Sequence, residues 1–417
     1  MRILKLNSQT EATLIAGREE QDRTAHRVAA RIVEDVRRRG DAALDEWSKK
    51  LDAADVRGKK IWVTEREIAA ATNKVPRDFL RAVKHAAANV RRLADKQLAR
   101  EWSLQVEPGV RISQLVRPIE SIGCYVPGGR FALFSTMVMT AVPAQVAGVE
   151  RIVVVCPSAN DELLATAGVL GIRQLARIGG AHAVAALAYG TKRIAPVDKI
   201  FGPGNRYVTA AKQIVSSDCA IDLPAGPTEA IVLARGGNAQ WIAADLLAQA
   251  EHAPDAGSYL VTTSTQLAKQ VQQEVRAELA RLPEANPARV SCDKTGAILL
   301  ARTWDEAIAF VNRFAPEHLS IPEFSPELLK KIRSSGTVFV GPLSAQPFGD
   351  YATGSNHVLP TGGWARRRGG LSANDFVKAI TVQSVTPTGY RRLARDVHIM
   401  ARAEGLLAHA NAVEVRK

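Results

Sequence analysis

Glu317 and His318 stand side by side, directly after Pro316, whose ring restricts the local backbone. An imidazole titrates near neutrality and an adjoining carboxylate can tune it, so the pair has the makeup of a proton-transfer unit. An arbitrary Glu-His dipeptide more often closes a surface turn, so the pair needs companions before it counts as chemistry. Residues 349–357 (Gly-Asp-Tyr-Ala-Thr-Gly-Ser-Asn-His) supply Asp350, a glycine hinge and His357 in a stretch poor in apolar side chains. Loops so composed are more often sites than spacers. Gln249 and His252 lie three apart in a segment with helical patterning, which places an amide and an imidazole on one face, where both could ligate a metal. The same pattern leaves open that Gln249 bridges polar surface and that His252 ends the helix before Pro254. Glu404 and His409, five apart, do not share a helix face, and spacing alone gives them no role.

Stepping outward, these groups need elements to hold them. Residues 22–51 carry Val28, Ile32, Val36 and Leu44 among charges, a helical pattern, and Pro76 opens a second helical stretch toward Leu98. The texture changes near Ile119. Residues 121–126 read as a buried strand ending in the turn Pro127-Gly128-Gly129. Further strands are expected at 151–157, 199–201, 230–233, 258–262 and 338–341, and helices at 163–170, 181–189, 241–251 and 267–282. The alternation predicts an α/β chain with parallel, doubly wound sheets in two blocks, divided near residues 225–227. From Asn374 onward the tail reads as helical, with a break at Pro387. The glycine turns at 127–129, 179–180 and 202–204 fall where strands end, the edge at which open α/β sheets bind ligands. The G-x-G-x-x-G fingerprint is absent from the sequence, and each turn alone reads as a tight turn.

The 417 residues, 46% hydrophobic and 23% charged, suit an ordinary globular protein of two or more domains. The first residues lack the apolar run of a secretory signal, and no segment reaches the ~18 apolar residues that span a bilayer. A cytoplasmic protein without a membrane partner is the expectation. Cys124, Cys156, Cys219 and Cys292 are scattered without CxxC spacing, so any bound metal must be held by nitrogen and oxygen ligands. The net charge of +13 includes Arg37-Arg38-Arg39 and Arg366-Arg367-Arg368. With aromatics at 5%, no stacking platform accompanies these runs, so a nucleic-acid partner is not expected. A metal, a carboxylate and water can together cleave a bond, so one enzyme class these residues allow is a zinc hydrolase.

Seven segments in this order resemble the histidinol dehydrogenases: VPGG at 126–129, FGPGN at 201–205, PAGPTE at 224–229, DLLAQAEH at 245–252, PEHL at 316–319, GDYATGSNHVLPT at 349–361 and AEGLLAHANAV at 403–413. The resemblance covers nearly the whole chain from about residue 22. It implies two Rossmann-like doubly wound domains that bind NAD without the glycine fingerprint. The division it implies is an N-terminal arm (1–20), a catalytic domain (21–124 with 229–370), an NAD-binding domain (125–228) and a helical tail (371–417) that packs on the partner subunit of a homodimer. It places zinc ligands, one ion per subunit, on Gln249, His252 and Asp350, with His409 donated by the other subunit. It places substrate contacts on Thr228, Gln249, His252, Glu317, Asp350, His357, Glu404 and His409, and NAD contacts on Tyr125, His182 and Asn205. The reaction implied is L-histidinol through L-histidinal to L-histidine, with His318 taking the alcohol proton and Glu317 activating water. Two positions depart from the family pattern: Thr228 stands for the usual serine, and His182 for the usual glutamine. GPTE also occurs in paralogous zinc and NAD dehydrogenases acting on other amino alcohols or sulfonated polyols. Pro316, Tyr351 and Glu404 side with histidinol.

Overall fold

The computed structural model describes residues 1–19, 23–128, 132–223, 226–323 and 325–416. Its strands are β1 (Arg2–Lys5), β2 (Trp102–Glu107), β3 (Val110–Pro118), β4 (Ser121–Tyr125), β5 (Arg151–Val155), β6 (Gln174–Ala176), β7 (Lys199–Phe201), β8 (Ala220–Ile221), β9 (Glu229–Leu233), β10 (Gly257–Thr262), β11 (Ala297–Leu300), β12 (His318–Ile321), β13 (Thr337–Val340) and β14 (Val377–Val385). They form a five-stranded sheet in the order β6-β5-β4-β7-β8 and a six-stranded sheet in the order β1-β11-β10-β9-β12-β13. Both are parallel throughout. Strands such as Glu-Ala-Ile-Val-Leu of β9 are buried along their whole length, as parallel strands covered on both faces must be.

Helices cover both faces of each sheet, which is the doubly wound α/β arrangement expected. On the five-stranded sheet, Arg23–Arg39 and Asp41–Leu51 share one core with Gly180–Tyr189 and Arg206–Val215, while Phe134–Ala147 and Asp161–Leu170 line the other. The helical segment expected at 22–51 is broken in two at Gly40, whose φ of 57° lies in the left-handed region. The helices Glu65–Lys74 and Arg77–Gln97 pack on Asp161–Leu170 and Phe134–Ala147. The sequence-based division joins 21–124 to 229–370; in the structure these two helices lie on the helices that line the 121–221 sheet. On the six-stranded sheet, Trp304–Phe314 packs on one face, and Ala239–Ala250 and Thr265–Arg281 on the other.

Two terminal segments differ from expectation. The N-terminal arm begins with a sheet strand: β1 pairs with β11 in register Arg2↔Ala297 to Lys5↔Leu300. The tail does not start as a helix. Val377–Val385, rich in β-branched residues, is a strand paired antiparallel with β3, which pairs in turn with β2. Pro387 opens the helix Pro387–Ala403 at its first turn, a position where the missing N–H is harmless, and Leu407–Glu414 follows. Trp102, Leu104, Val106, Ile380 and Val382 on this small sheet are exposed, as are Ile399, Met400 and Leu407 on the helices.

Candidate active site where the two parallel sheets meet

Adjacent strands bring the acid–base groups together. β9 and β12 pair in register His318↔Ala230, so Thr228-Glu229 and Glu317-His318 arrive side by side at the amino ends of neighbouring strands. The approach to β12 is fixed by Ala315, left-handed at φ 52°, which ends Trp304–Phe314, followed by Pro316. Glu317 O then accepts the Thr337 N–H at 3.0 Å, and a Cβ on Gly336 would stand 2.5 Å from that oxygen, so the neighbouring strand needs glycine there. Glu317 and His318 are 6% and 3% exposed, which excludes the surface turn as their setting.

The Glu317 carboxylate ends a chain of side-chain hydrogen bonds. Gln346 Nε2 donates to Gln249 Oε1 at 2.7 Å, Gln249 Nε2 to Thr228 Oγ1 at 2.8 Å, and Thr228 Oγ1 to Glu317 Oε2 at 2.5 Å. Each donor–acceptor direction agrees with the next, so the bonds polarise one another toward the carboxylate. The Glu229 backbone N–H adds a second donor to Glu317 Oε2 at 3.0 Å. His318 lies between two carboxylates, its Nδ1 3.7 Å from Glu317 Oε2 and its Nε2 3.8 Å from Asp350 Oδ1. Burial lowers its pKa, but Glu317 and Asp350 outweigh this and raise it above the ordinary 6.5. Asp350 behaves reciprocally. Burial raises its pKa, yet His318, His357 and His252 hold it below the usual carboxylate value.

Asp350 lies in the short helix Gln346–Tyr351, which the sequence reading treats as loop. Its carbonyl accepts a hydrogen bond from His357 Nδ1 at 2.9 Å, and His357 Nε2 meets Thr136 Oγ1 at 3.2 Å. Burial lowers the His357 pKa, which favours the neutral ring. Thr136 opens the helix that follows β4, and Asn356 Nδ2 donates to Met139 O at 2.6 Å in that helix. The 349–361 loop thus joins the amino ends of the six-stranded sheet to the helix that follows β4 of the five-stranded one. Gln249 is buried in the last turn of Ala239–Ala250, whereas His252 lies just past its end and is exposed. The expected shared helical face is therefore not formed, because the helix stops at Ala250.

The metal donors can be weighed on these contacts. Gln249 Oε1 accepts one hydrogen bond, from Gln346, and an amide oxygen can accept a second, while the Asp350 carboxylate faces the His252, His318 and His357 rings. Neither buried ring nitrogen of His318 has a hydrogen-bond partner among the described residues, which marks polar atoms left for another group to satisfy. Among the described residues no three His, Cys, Asp or Glu side chains stand together as a metal group. The expected set has just two of those types on one chain, His252 and Asp350, plus the Gln249 amide. All four cysteines are buried, and burial pushes the Cys124, Cys156 and Cys219 thiols up to about 12, so they are inert. Glu404 and His409 are both exposed, at the end of Pro387–Ala403 and in Leu407–Glu414, and are not brought to the other site residues within the chain.

The expected cofactor residues sit at the carboxyl edge of the five-stranded sheet, but two of them face inward. Tyr125, at the end of β4, is 4% exposed and its hydroxyl accepts the Gly180 N–H at 3.0 Å. His182 is fully buried, its Nε2 2.9 Å from Asp52 Oδ2, which also accepts the Gly179 N–H at 3.0 Å. The first turn of Gly180–Tyr189 is thereby occupied by Asp52 and Tyr125. Asn205 is exposed and caps Arg206–Val215 through its side-chain oxygen. The turn before it is tight: Gly202 has φ 111°, and a Cβ there would stand 2.1 Å from Tyr125 O. Buried Lys212 and Asp222 pair beneath this turn, and Asp222 accepts the Gly202 N–H at 2.7 Å. Gly129, Pro224 and Ala225 of the quoted motifs lie outside the described residues.

Sequence reasoning missed Glu229, Arg18, Asp52, Gln346 and Thr136. Glu229 carried a signal, an acid heading an otherwise apolar strand, whereas nothing local distinguishes Asp52 or Arg18.

A sequence model described as histidinol dehydrogenase matches residues 16–417. The histidinol dehydrogenase of Methanothermobacter thermautotrophicus is 45% identical over 394 residues, covering 93% of this chain and 92% of its own length. That of Geobacter sulfurreducens is 43% identical, covering 97% and 96%. A crystal structure of histidinol dehydrogenase from Elizabethkingia anophelis superposes with a TM-score of 0.94 at 38% identity, over 100% of this chain and 98% of that one. With matches this complete, and with the expected acid–base groups assembled, the chain belongs to the histidinol dehydrogenase family.

Proposed function

We propose that this chain oxidises L-histidinol through L-histidinal to L-histidine, in the cytoplasm, with two NAD molecules reduced and one zinc ion held per subunit. The observation that carries the reading is the buried array of Glu317, His318 and Asp350, one imidazole between two carboxylates with neither ring nitrogen hydrogen-bonded among the described residues. In the first oxidation His318 takes the proton from the alcohol oxygen as a hydride leaves the carbon that bears it. Its raised pKa makes it a stronger base than a free imidazole while leaving it able to release the proton. In the second, Glu317 takes a proton from the water that adds to the aldehyde, and a second hydride then leaves the hydrated carbon for the acceptor. Two proton removals at one carbon suit two bases on consecutive residues at the head of one strand.

Gln249, His252 and Asp350 would hold the metal, a nitrogen and oxygen set consistent with zinc. When bound, zinc supplies a Lewis-acid anchor for the amine and imidazole of the substrate, and NAD supplies the hydride acceptor. Tyr125, His182 and Asn205 would line the cofactor side, Asn205 being the exposed member. Thr228, His357 and, from a second subunit, Glu404 and His409 would complete the substrate contacts. Support for the homodimer is the exposure of Glu404 and His409 beside Ile399, Met400 and Leu407, apolar side chains that a second copy would cover. Among the described residues no helix is long and apolar enough to cross a membrane.

The test is the NADH yield from histidinol with and without a chelator. Two NADH per histidinol, abolished by chelation and restored by zinc, is the expected result. Reduction of NAD by another amino alcohol or a sulfonated polyol, but not by histidinol, moves the assignment to a paralogous dehydrogenase. Turnover without NAD replaces it with hydrolysis.

A further inference from the structure

A second carboxylate stands behind Glu317, and neither proton transfer described above involves it. Glu229 heads β9 and is 3% exposed, and its backbone N–H is one of the two donors that hold Glu317 Oε2. Its side chain is anchored separately. Glu229 Oε1 accepts the Gly362 N–H at 3.2 Å and pairs with the Arg18 guanidinium. Arg18 comes from the helix Ser8–Glu19, 211 residues away in sequence. It is itself fixed, with its guanidinium carbon 3.7 Å from the Phe314 ring centroid and Nη1 donating to Phe314 O at 2.7 Å.

A carboxylate this deeply buried has to be paired or neutral. Burial, and then the charge of Glu317, push the Glu229 carboxyl up to about 7, and Arg18 works against both. Tyr259 also faces the pair, and burial pushes its phenol up to about 12, so it stays neutral. The charge at residue 229 therefore depends on a side chain from the other end of the chain. Arg18 and Glu229 together set a pair of opposite charges behind Glu317. Without the Glu229 charge, the buried guanidinium is left facing Glu317 and weakens it as a base. Without Arg18, two carboxylates share a buried site and compete for one proton.

We infer that Arg18 and Glu229 are positioning residues for Glu317, holding the carboxylate that activates water in the second oxidation. The inference rests on the two-step reading given above. It assigns the N-terminal helix a part in the aldehyde step, which the alcohol step does not need.

The experiment compares wild type with Glu229→Gln, Arg18→Lys and the double variant Arg18→Met/Glu229→Gln, as zinc-loaded full-length proteins. NADH formation is followed from histidinol and, separately, from histidinal. Glu229→Gln should slow the histidinal reaction at least ~10-fold while the histidinol step stays within about threefold, a fraction of the 10²–10⁴ that a general base contributes. NADH per histidinol should fall from two toward one, with histidinal trapped by semicarbazide. Arg18→Lys, which keeps the charge but loses the fork, should show the same bias more weakly. The double variant, with neither charge, should regain most of the histidinal rate. Equal slowing of both steps, or an unchanged ratio of two, overturns the role. Should Glu229→Gln fail to fold, Arg18→Lys decides the question by the same ratio. A wild type that reduces NAD with neither compound instead removes the functional reading itself.

Discussion

Replacing Thr228 by valine keeps the branched shape of the side chain and removes one hydroxyl. That hydroxyl donates to Glu317 Oε2 at 2.5 Å and accepts from Gln249 Nε2 at 2.8 Å, so two bonds are lost at once. A hydrogen bond to a charged group contributes about 1.5–3 kcal/mol, and its loss in a step that depends on the oriented carboxylate corresponds to a rate decrease of roughly 10- to 150-fold. The second loss falls on stability, because the buried Gln249 amide keeps a donor with no acceptor, at about 1–3 kcal/mol. The assay is single-turnover NADH formation from histidinal, with the thermal midpoint measured in parallel. Thr228→Ser, the usual family residue, keeps the oxygen and should stay within about threefold of wild type, since it loses only a methyl contact. If Thr228→Val matched wild type on histidinal, or Thr228→Ser failed as badly as valine, the hydrogen-bond chain would not be what orients Glu317.

Other expectations reach different parts of the molecule. His318→Asn should lower the histidinol step by about 10²–10⁴ and leave zinc content unchanged, whereas His252→Asn should lose zinc, as read by metal analysis; comparable zinc loss in both would merge roles kept separate here. Because the His318 pKa is raised, its basic form is depleted already above pH 6.5, so the acid limb of the histidinol step should lie on the alkaline side of that value, and a limb at or below 6.5 contradicts the geometry. Mixing inactive His318→Asn and His409→Asn proteins should restore part of the activity through hybrid dimers, and no recovery after verified subunit exchange counts against sharing. Asp245, on the helix that carries Gln249, has its carboxyl pushed up to about 6 by burial. The folded chain therefore holds that proton more tightly than the unfolded chain, and stability falls as pH rises from 3.8 to about 6. Asp245→Asn should melt with wild type near pH 4 and above it at pH 8, by up to about 3 kcal/mol; equal midpoints at pH 8 would show the carboxylate is solvated.

Much of this arrangement could be read from the sequence where one period dominates. The buried runs of β5, β9 and β10 and the helices between them stand out because parallel strands covered on both faces lose the alternation of a half-exposed sheet. Val377–Val385 is harder, since its β-branched residues follow no clean alternation and gain meaning only beside β3, some 260 positions earlier (Val377↔Pro118). β12 is four residues long and carries Glu317-His318 at its head, so the dipeptide looks like a turn until its neighbours in the sheet are known. The separate site motifs were legible, but not which of them meet. Thr228, Gln249, Glu317 and Asp350 come from four segments whose convergence follows from strand order. His182 shows the opposite case, a residue placed correctly at a sheet edge whose partner, Asp52, is fixed 130 positions away by packing of the N-terminal helices.

The pairing of β1 with β11 also sets a timetable. Arg2 and Ala297 are bonded neighbours in the finished sheet, yet a ribosome adding ~5–20 residues per second makes them roughly 15–60 s apart. During that interval the Ser8–Glu19 helix has no sheet to lie on, and the guanidinium destined for Glu229 waits in water. Glu229 is itself made before its covering strand, so the nascent chain holds a carboxylate that cannot yet be buried in charged form. The end of the six-stranded sheet that carries Glu229 and Glu317 is then among the last parts to close during synthesis. A fusion or tag at the N-terminus that delays docking of β1 would yield protein with a sound five-stranded sheet and an unfinished corner around Glu229 and Glu317.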